Sequence, residues 1–268
     1  QLMIGSEGTL AVITKIVFKL IPLPTKDITM LVPFNSAEKA CEAVSAVFRA
    51  GITPSALEFI ERDAIDFTLK HSDVEMSIPD AVQAHLLVEV DGNDIDLLYK
   101  DCELIAEVME QFDCGEILLA DSESQKEQLW KLRRAVGEAV KANSVYKEED
   151  TVVPRAELAK LLTGVKEIGT KYGFKSVCYG HAGDGNLHVN IIKGEMSDSD
   201  WNNKLTFGIR EIFELTKNLG GTISGEHGIG LVQKEYLGIV LSDKNIELQK
   251  GIKKLFDPNQ ILNPGKIF

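Results

Sequence analysis

The sequence is short of positive charge. Lys and Arg total 29 against 41 Asp and Glu, a formal charge of −12 at pH 7. Neutralising a phosphate backbone needs a basic face, so no nucleic-acid partner is expected. An acidic total does not exclude a small anionic substrate, because cations inside a pocket decide that. Cysteine is scarce too. Cys41, Cys102, Cys114 and Cys178 lie far apart with no C-x-x-C pair. They read as buried, reduced thiols rather than a disulfide or zinc–thiolate site. No apolar run reaches the roughly 18 residues that span a bilayer. The N-terminus lacks a basic n-region, so it does not read as a signal peptide. A cytoplasmic protein, at most peripheral to a membrane, is the expectation. The G-x-S-x-G, Walker A, H-E-x-x-H and EF-hand patterns are all missing.

What remains is ordinary globular composition, 44% hydrophobic and 26% charged, enough for a sizeable core. The start is unusual. Gln1 is not an initiator Met, and residues 11–18 read as a strand from the first turn onward. The sequence is therefore expected to be part of a longer protein. Pro22 and Pro24 mark a boundary.

From there elements alternate. Strands are expected over residues 28–34, 55–60, 84–90 and 116–120, and helices over 37–50, 62–70 and 94–112. A helix over 124–142 follows, then a polar loop over 143–149. A second series places strands at 151–153, 176–181, 187–192 and 220–224, with helices at 155–172 and 198–218. The tail over 228–256 reads as helix. Setting aside the helix at 62–70, each series is β-α-β-β-α-β. The expected fold is α+β: a large antiparallel sheet from two ferredoxin-like βαββαβ units with helices on one face, plus a C-terminal helical tail. Residues 1–24, 25–225 and 226–268 form the expected divisions.

Histidine is rare, at five residues, yet His181, His188 and His227 all fall in glycine-rich polar stretches. Such stretches fill cores poorly. His181 ends one strand and His188 nearly begins the next, so an antiparallel hairpin brings them together. Two converging imidazoles suit a divalent metal. Asn190 shares the face of His188, and Tyr179 that of His181. Glu226 could add an oxygen ligand, leaving His227 as an unligated acid/base near neutral pH. The alternative for that loop is an ordinary glycine-rich helix entry. Arg133 falls on the apolar stripe of Leu129, Val136 and Val140. A buried Arg needs an anion, either a bound carboxylate or an internal acid. The run Glu148-Glu149-Asp150 reads as a solvated charge run rather than a site.

The hairpin YGHAGDGNLHVN (residues 179–190) resembles the metal-binding motif of the flavin-linked D-2-hydroxy-acid dehydrogenases. GTISGEHGIG (221–230), FDPNQILNPGK (256–266), IGSEGTLAVIT (4–14), LWKLR (129–133) and VPR (153–155) resemble further segments of that family. The resemblance implies FAD and a divalent metal, zinc, manganese or iron, as cofactors. It implies His181, His188 and Glu226 as metal ligands, and His227 as the base that takes the hydroxyl proton. Arg133 and Asn190 would orient the substrate carboxylate, and Glu7, Gly8 and Asn263 would lie at the flavin. The substrate would be a small 2-hydroxy acid, lactate or glycolate foremost. Partners implied are the N-terminal flavin domain and an electron acceptor, with electron-transfer flavoprotein, a quinone or a partner subunit all open; so is a homodimer. The loop that cradles the flavin pyrophosphate would precede residue 1, so this chain alone is expected to hold flavin poorly and to be inactive. A free-standing metal-dependent hydrolase or metal-binding domain, and a relative of the flavin-dependent ether-lipid synthases, are the alternatives.

Overall fold

The computed structural model describes residues 1–74 and 76–268. The first half runs β1 (Lys26–Phe34), α1 (Ala37–Arg49), β2 (Ala56–Glu61), α2 (Arg62–His71), β3 (Ala84–Gly92), α3 (Ile95–Glu110) and β4 (Leu118–Leu119). The second runs α4 (Glu123–Asn143), β5 (Tyr146–Val152), α5 (Leu158–Tyr172), β6 (Lys175–Gly180), β7 (Asn186–Ile192), α6 (Asp198–Asn218), α7 (Leu237–Val240) and α8 (Asp243–Phe256). Helix starts follow sequence logic. Ser36, Ser122, Ser197 and Ser242 each accept an N–H of the first turn, and Asp94 does so for α3. Among the described residues no helix is long and apolar enough to cross a membrane.

Seven strands of the described residues form one antiparallel sheet, ordered β4-β1-β3-β2-β6-β7-β5. The halves join where Ile60 of β2 pairs with Tyr179 of β6. The large antiparallel sheet is as expected, but helices on one face alone are not. Met30, Val32, Phe59, Leu187 and Val189 pack with α1, α3, α5 and α6 on one side. Leu31, Ile60, Leu87 and Val177 meet α2 and α4 on the other. The cause lies in the strands themselves. Consecutive strand residues point to opposite faces. Here both faces are apolar, so each needs a helical cover.

Four local expectations also change. Residues 11–18 form no strand; Ile13, Val17 and Phe18 are well exposed there. A strand needs a neighbour for its backbone groups, and none of the described residues supplies one. Residues 146–149, expected as loop, belong to β5. Its residues lack apolar alternation because charged groups are buried on both of its faces, which hides the period-two signal. Residues 220–224 make only isolated bridges, Ser224 to Asp150 and Thr222 to Val152. The expected helix over 228–256 is two helices, α7 and α8, preceded by turns.

Candidate metal and acid–base site

One row of paired residues crosses the α4 side of the sheet: Ile60, Tyr179, His188, Asp150. Register alone puts His188 and Asp150 side by side on adjacent strands. Asn190 and Glu148 form the next pair on the same face. His181 leaves β6 one residue past its end, and the tight connection to β7 turns it back. Gly185 makes that turn at φ +76°, and a Cβ there would lie 2.0 Å from the Val153 carbonyl oxygen. The rings of His181 and His188 come to 5.8 Å between centroids.

The loop 224–230 closes the site from the sheet edge. Asp150 Oδ2 accepts the N–H groups of Gly225 at 2.9 Å, Glu226 at 2.7 Å and His227 at 2.8 Å. Its Oδ1 accepts from Asn186 Nδ2 at 2.6 Å. Burial opposes the charge of Asp150, but these donors hold its carboxyl below the usual carboxylate range. A Cβ on residue 225 would lie 2.3 Å from Asn186 Nδ2, so glycine is what lets the loop approach. Glu226 then hangs between the imidazoles. Its Oε1 is 3.6 Å from His181 Nε2, 3.4 Å from His188 Nε2 and 3.8 Å from His227 Nε2. His227 stacks on His188 with centroids 5.1 Å apart.

The donor chemistry fits a divalent ion. The ligand atoms of His181, His188 and Glu226 lie within 4.8 Å of one another, an N,N,O set. His181 turns Nδ1 toward Glu58 Oε1 at 2.8 Å, which directs Nε2 into the site. That contact also raises the His181 pKa. Burial pushes the His188 pKa down to about 4, so this imidazole stays neutral and keeps a lone pair to give. His188 Nδ1 and Asn190 Nδ2 are buried without a hydrogen-bond partner among the described residues. Unpaired polar atoms of that kind suit a ligand-binding hollow.

The remaining expected residues are placed as follows. Arg133 projects from α4 to Glu58, with Nε and Nη2 both 2.8 Å from Oε2. Its guanidinium carbon sits 5.1 Å from the Tyr179 ring centroid. The internal acid left open as its alternative partner is therefore Glu58. Glu7 directs both carboxylate oxygens to the backbone, accepting the N–H of Ile229 and of Gly230 at 2.7 Å each. Asn263 donates to the Glu7 carbonyl, and Gly8 packs against Asn263. These three residues tie both chain ends to the His227 loop.

Sequence reading missed four acids. Glu148-Glu149-Asp150 is not a solvated run: Glu149 and Asp150 are each 1% exposed. Glu149 faces the opposite side of the sheet. Burial raises its carboxyl to about 7, and Gln233 donates to it at 3.0 Å. Glu148 Oε1 lies 3.8 Å from His188 Nδ1. Glu58 was passed over inside an apolar strand. Its signal was available: a carboxylate within a buried run demands a cation.

The chain matches the family described as "FAD linked oxidases, C-terminal domain" over residues 23–267. It is 35% identical to a D-lactate dehydrogenase of Anaerostipes hadrus, across all of this chain and 57% of that protein. It is 34% identical to the glycolate oxidase subunit GlcD of Bacillus subtilis (strain 168), across all of this chain and 56% of that one. A D-2-hydroxyglutarate dehydrogenase of Stutzerimonas stutzeri is 32% identical, again across all of this chain and 58% of its own length. The chain thus spans just over half the length of these curated relatives. Among solved structures, p-cresol methylhydroxylase shares the fold at a TM-score of 0.63 and 15% identity, covering 93% of this chain and 54% of that one. With the family profile spanning nearly all of the chain and relatives aligning across all of its residues, this chain belongs to the C-terminal domains of FAD-linked oxidases.

Proposed function

We propose that the protein containing this chain oxidises a small D-2-hydroxy acid to the 2-oxo acid, using FAD and a divalent metal, zinc, manganese or iron. The observation that carries this reading is the convergence of His181, His188 and Glu226, with His227 stacked beside them. The relatives named for D-lactate, glycolate and D-2-hydroxyglutarate support the substrate class.

When bound, FAD would supply the acceptor for the C2 hydride, and the metal a Lewis acid that lowers the hydroxyl pKa. His181, His188 and Glu226 would hold the metal. His227 Nε2, free of backbone duties, would take the hydroxyl proton. Asn190 Nδ2 and the edge of Arg133 turned away from Glu58 would orient the carboxylate. Residues 1–24 would close the flavin domain, and residues 226–268 would return to it. Exposed Val17, Phe18, Leu20 and Ile21 would then be covered. Glu7, Gly8 and Asn263 would sit at the flavin side of that contact. Within this reading, the order β4-β1-β3-β2 supports a first ferredoxin-like unit, and β6-β7-β5 with the bridge at Thr222 a second.

The test uses the full-length protein and its His188→Ala variant. Elemental analysis is expected to find metal in the first and little in the second. Dye-linked oxidation of D-2-hydroxy acids is expected to require both metal and flavin. Unchanged metal content in the folded variant would sink the proposal.

A further inference from the structure

We infer that Glu148 sets the substrate class of this site, favouring 2-hydroxy acids with a single carboxylate and turning away those with a second one. This rests on the dehydrogenase reading above and narrows it.

The charges around the three histidines are lopsided. Glu58, Glu148, Asp150 and Glu226 all border the cluster. Among the described residues, Arg133 is the only Lys or Arg ion-paired with any of the four, and it is taken by Glu58. Even a bound dication leaves such a cluster without net positive charge.

The four acids are not equivalent. Glu58 is held by Arg133 and His181. Asp150 is saturated by backbone N–H groups and Asn186. Glu226 points among the imidazoles. The Glu148 side chain makes no hydrogen bond among the described residues, and its carboxylate stands 3.8 Å from the unpartnered, buried His188 Nδ1. It could serve as an alternative ion ligand with His188 and His227. An acid with no structural duty at this place is available to act on what enters.

The hollow beside His227 shows where a substrate tail would go. It measures about 420 Å³ and is lined by Glu148 together with Ile229, Leu231 and Val232. Lys147 also lines it, but alternation puts its side chain on the opposite pleat from Glu148, where it acts on the buried Glu149. A short alkyl or hydroxyl-bearing tail meets apolar surface and an acceptor in this hollow. A tail ending in carboxylate meets Glu148 on the histidine side of the hollow, while the Lys147 ammonium lies on the opposite pleat beside Glu149. Partly shielded like charges at such separations repel strongly enough to change affinity at least about tenfold.

The experiment uses the full-length, flavin- and metal-loaded protein. Turnover of D-lactate and D-2-hydroxybutyrate is compared with that of D-2-hydroxyglutarate and D-malate. Calorimetric binding of pyruvate and 2-oxoglutarate gives a second readout that needs no turnover. The wild type is expected to prefer the monocarboxylates at least about tenfold in both kcat/KM and affinity. Glu148→Gln is expected to narrow that preference about tenfold. A purely structural role would lower both classes alike, and an unchanged ratio in Glu148→Gln overturns the inference. So does a wild type that uses dicarboxylates equally well, whether or not the variant folds. If no hydroxy acid is oxidised and no 2-oxo acid binds, the dehydrogenase reading itself falls.

Discussion

The Asp150 carboxylate accepts the backbone N–H of His227 at 2.8 Å, so a strand residue sets where the loop histidine stands. Both of its oxygens are fully used, Oδ1 by the Asn186 amide and Oδ2 by three backbone N–H groups. Asp150→Asn keeps the size but offers one oxygen only. Either amide orientation sets N–H against N–H. We expect metal affinity to fall about 10–100-fold while the far-UV circular dichroism stays that of the wild type. Unaltered affinity, measured by competition with a chelator, would show that the loop does not depend on this carboxylate.

Glu58 serves two partners, His181 and Arg133. Glu58→Ala is expected to loosen His181 and to leave a buried guanidinium unpaired. Breaking a buried pair from one side costs about 3–5 kcal/mol. The double variant Glu58→Ala, Arg133→Met removes the unpaired charge and should recover part of that stability. Metal affinity should not recover with it, because His181 still lacks its partner. Urea unfolding and metal titration of the two variants separate these effects.

His85 predicts a pH dependence. It is buried, its Nδ1 is unpartnered among the described residues, and burial with Arg62 nearby pushes its pKa down from 6.5 to about 4. A histidine with a lowered folded pKa contributes stability that is full above its unfolded pKa. That contribution is lost as pH falls from about 6.5 toward about 4, by up to roughly 3 kcal/mol. His85→Phe should therefore flatten the decline in unfolding free energy between neutral and weakly acidic pH. An equal decline in wild type and variant would assign the acid sensitivity to other groups.

Glu7 accepts the N–H groups of Ile229 and Gly230 across a sequence separation of more than 220 residues. Glu7→Ala removes both acceptors at once. Amide hydrogen exchange at these two positions should accelerate at least about tenfold, since each lost bond is worth about 1 kcal/mol or more. Exchange in β6 and β7 should not change. Protection at Ile229 that survives the substitution would mean that the C-terminal segment alone holds the loop.

Much of this architecture was legible without coordinates. Helices announce themselves through 3.6-residue apolar spacing and Ser or Asp caps, and α6 emerges with the bounds that its sequence suggests. The hairpin between β6 and β7 was readable because glycines and period-two patterning set its turn. That was enough to bring His181 to His188. The stretch over 146–149 was misread for the opposite reason. Its strand is built from charged residues, and hydrophobic periodicity is blind to those.

By itself, the sequence determined which local elements form and which histidines gather at one turn, because both depend on neighbours a few residues apart. Only the tertiary structure decided what the acids do. Glu58 lies 123 residues from His181, and Asp150 lies 77 from His227. A buried apolar run around a carboxylate signals that it needs a partner, but not whether that partner is an arginine, a histidine or a row of backbone N–H groups. The pairing of β2 with β6 and of β5 with β7 gave each acid its partner. It also left the Glu148 carboxylate, at the edge of the hollow, with no side-chain hydrogen bond among the described residues, 3.8 Å from His188 Nδ1.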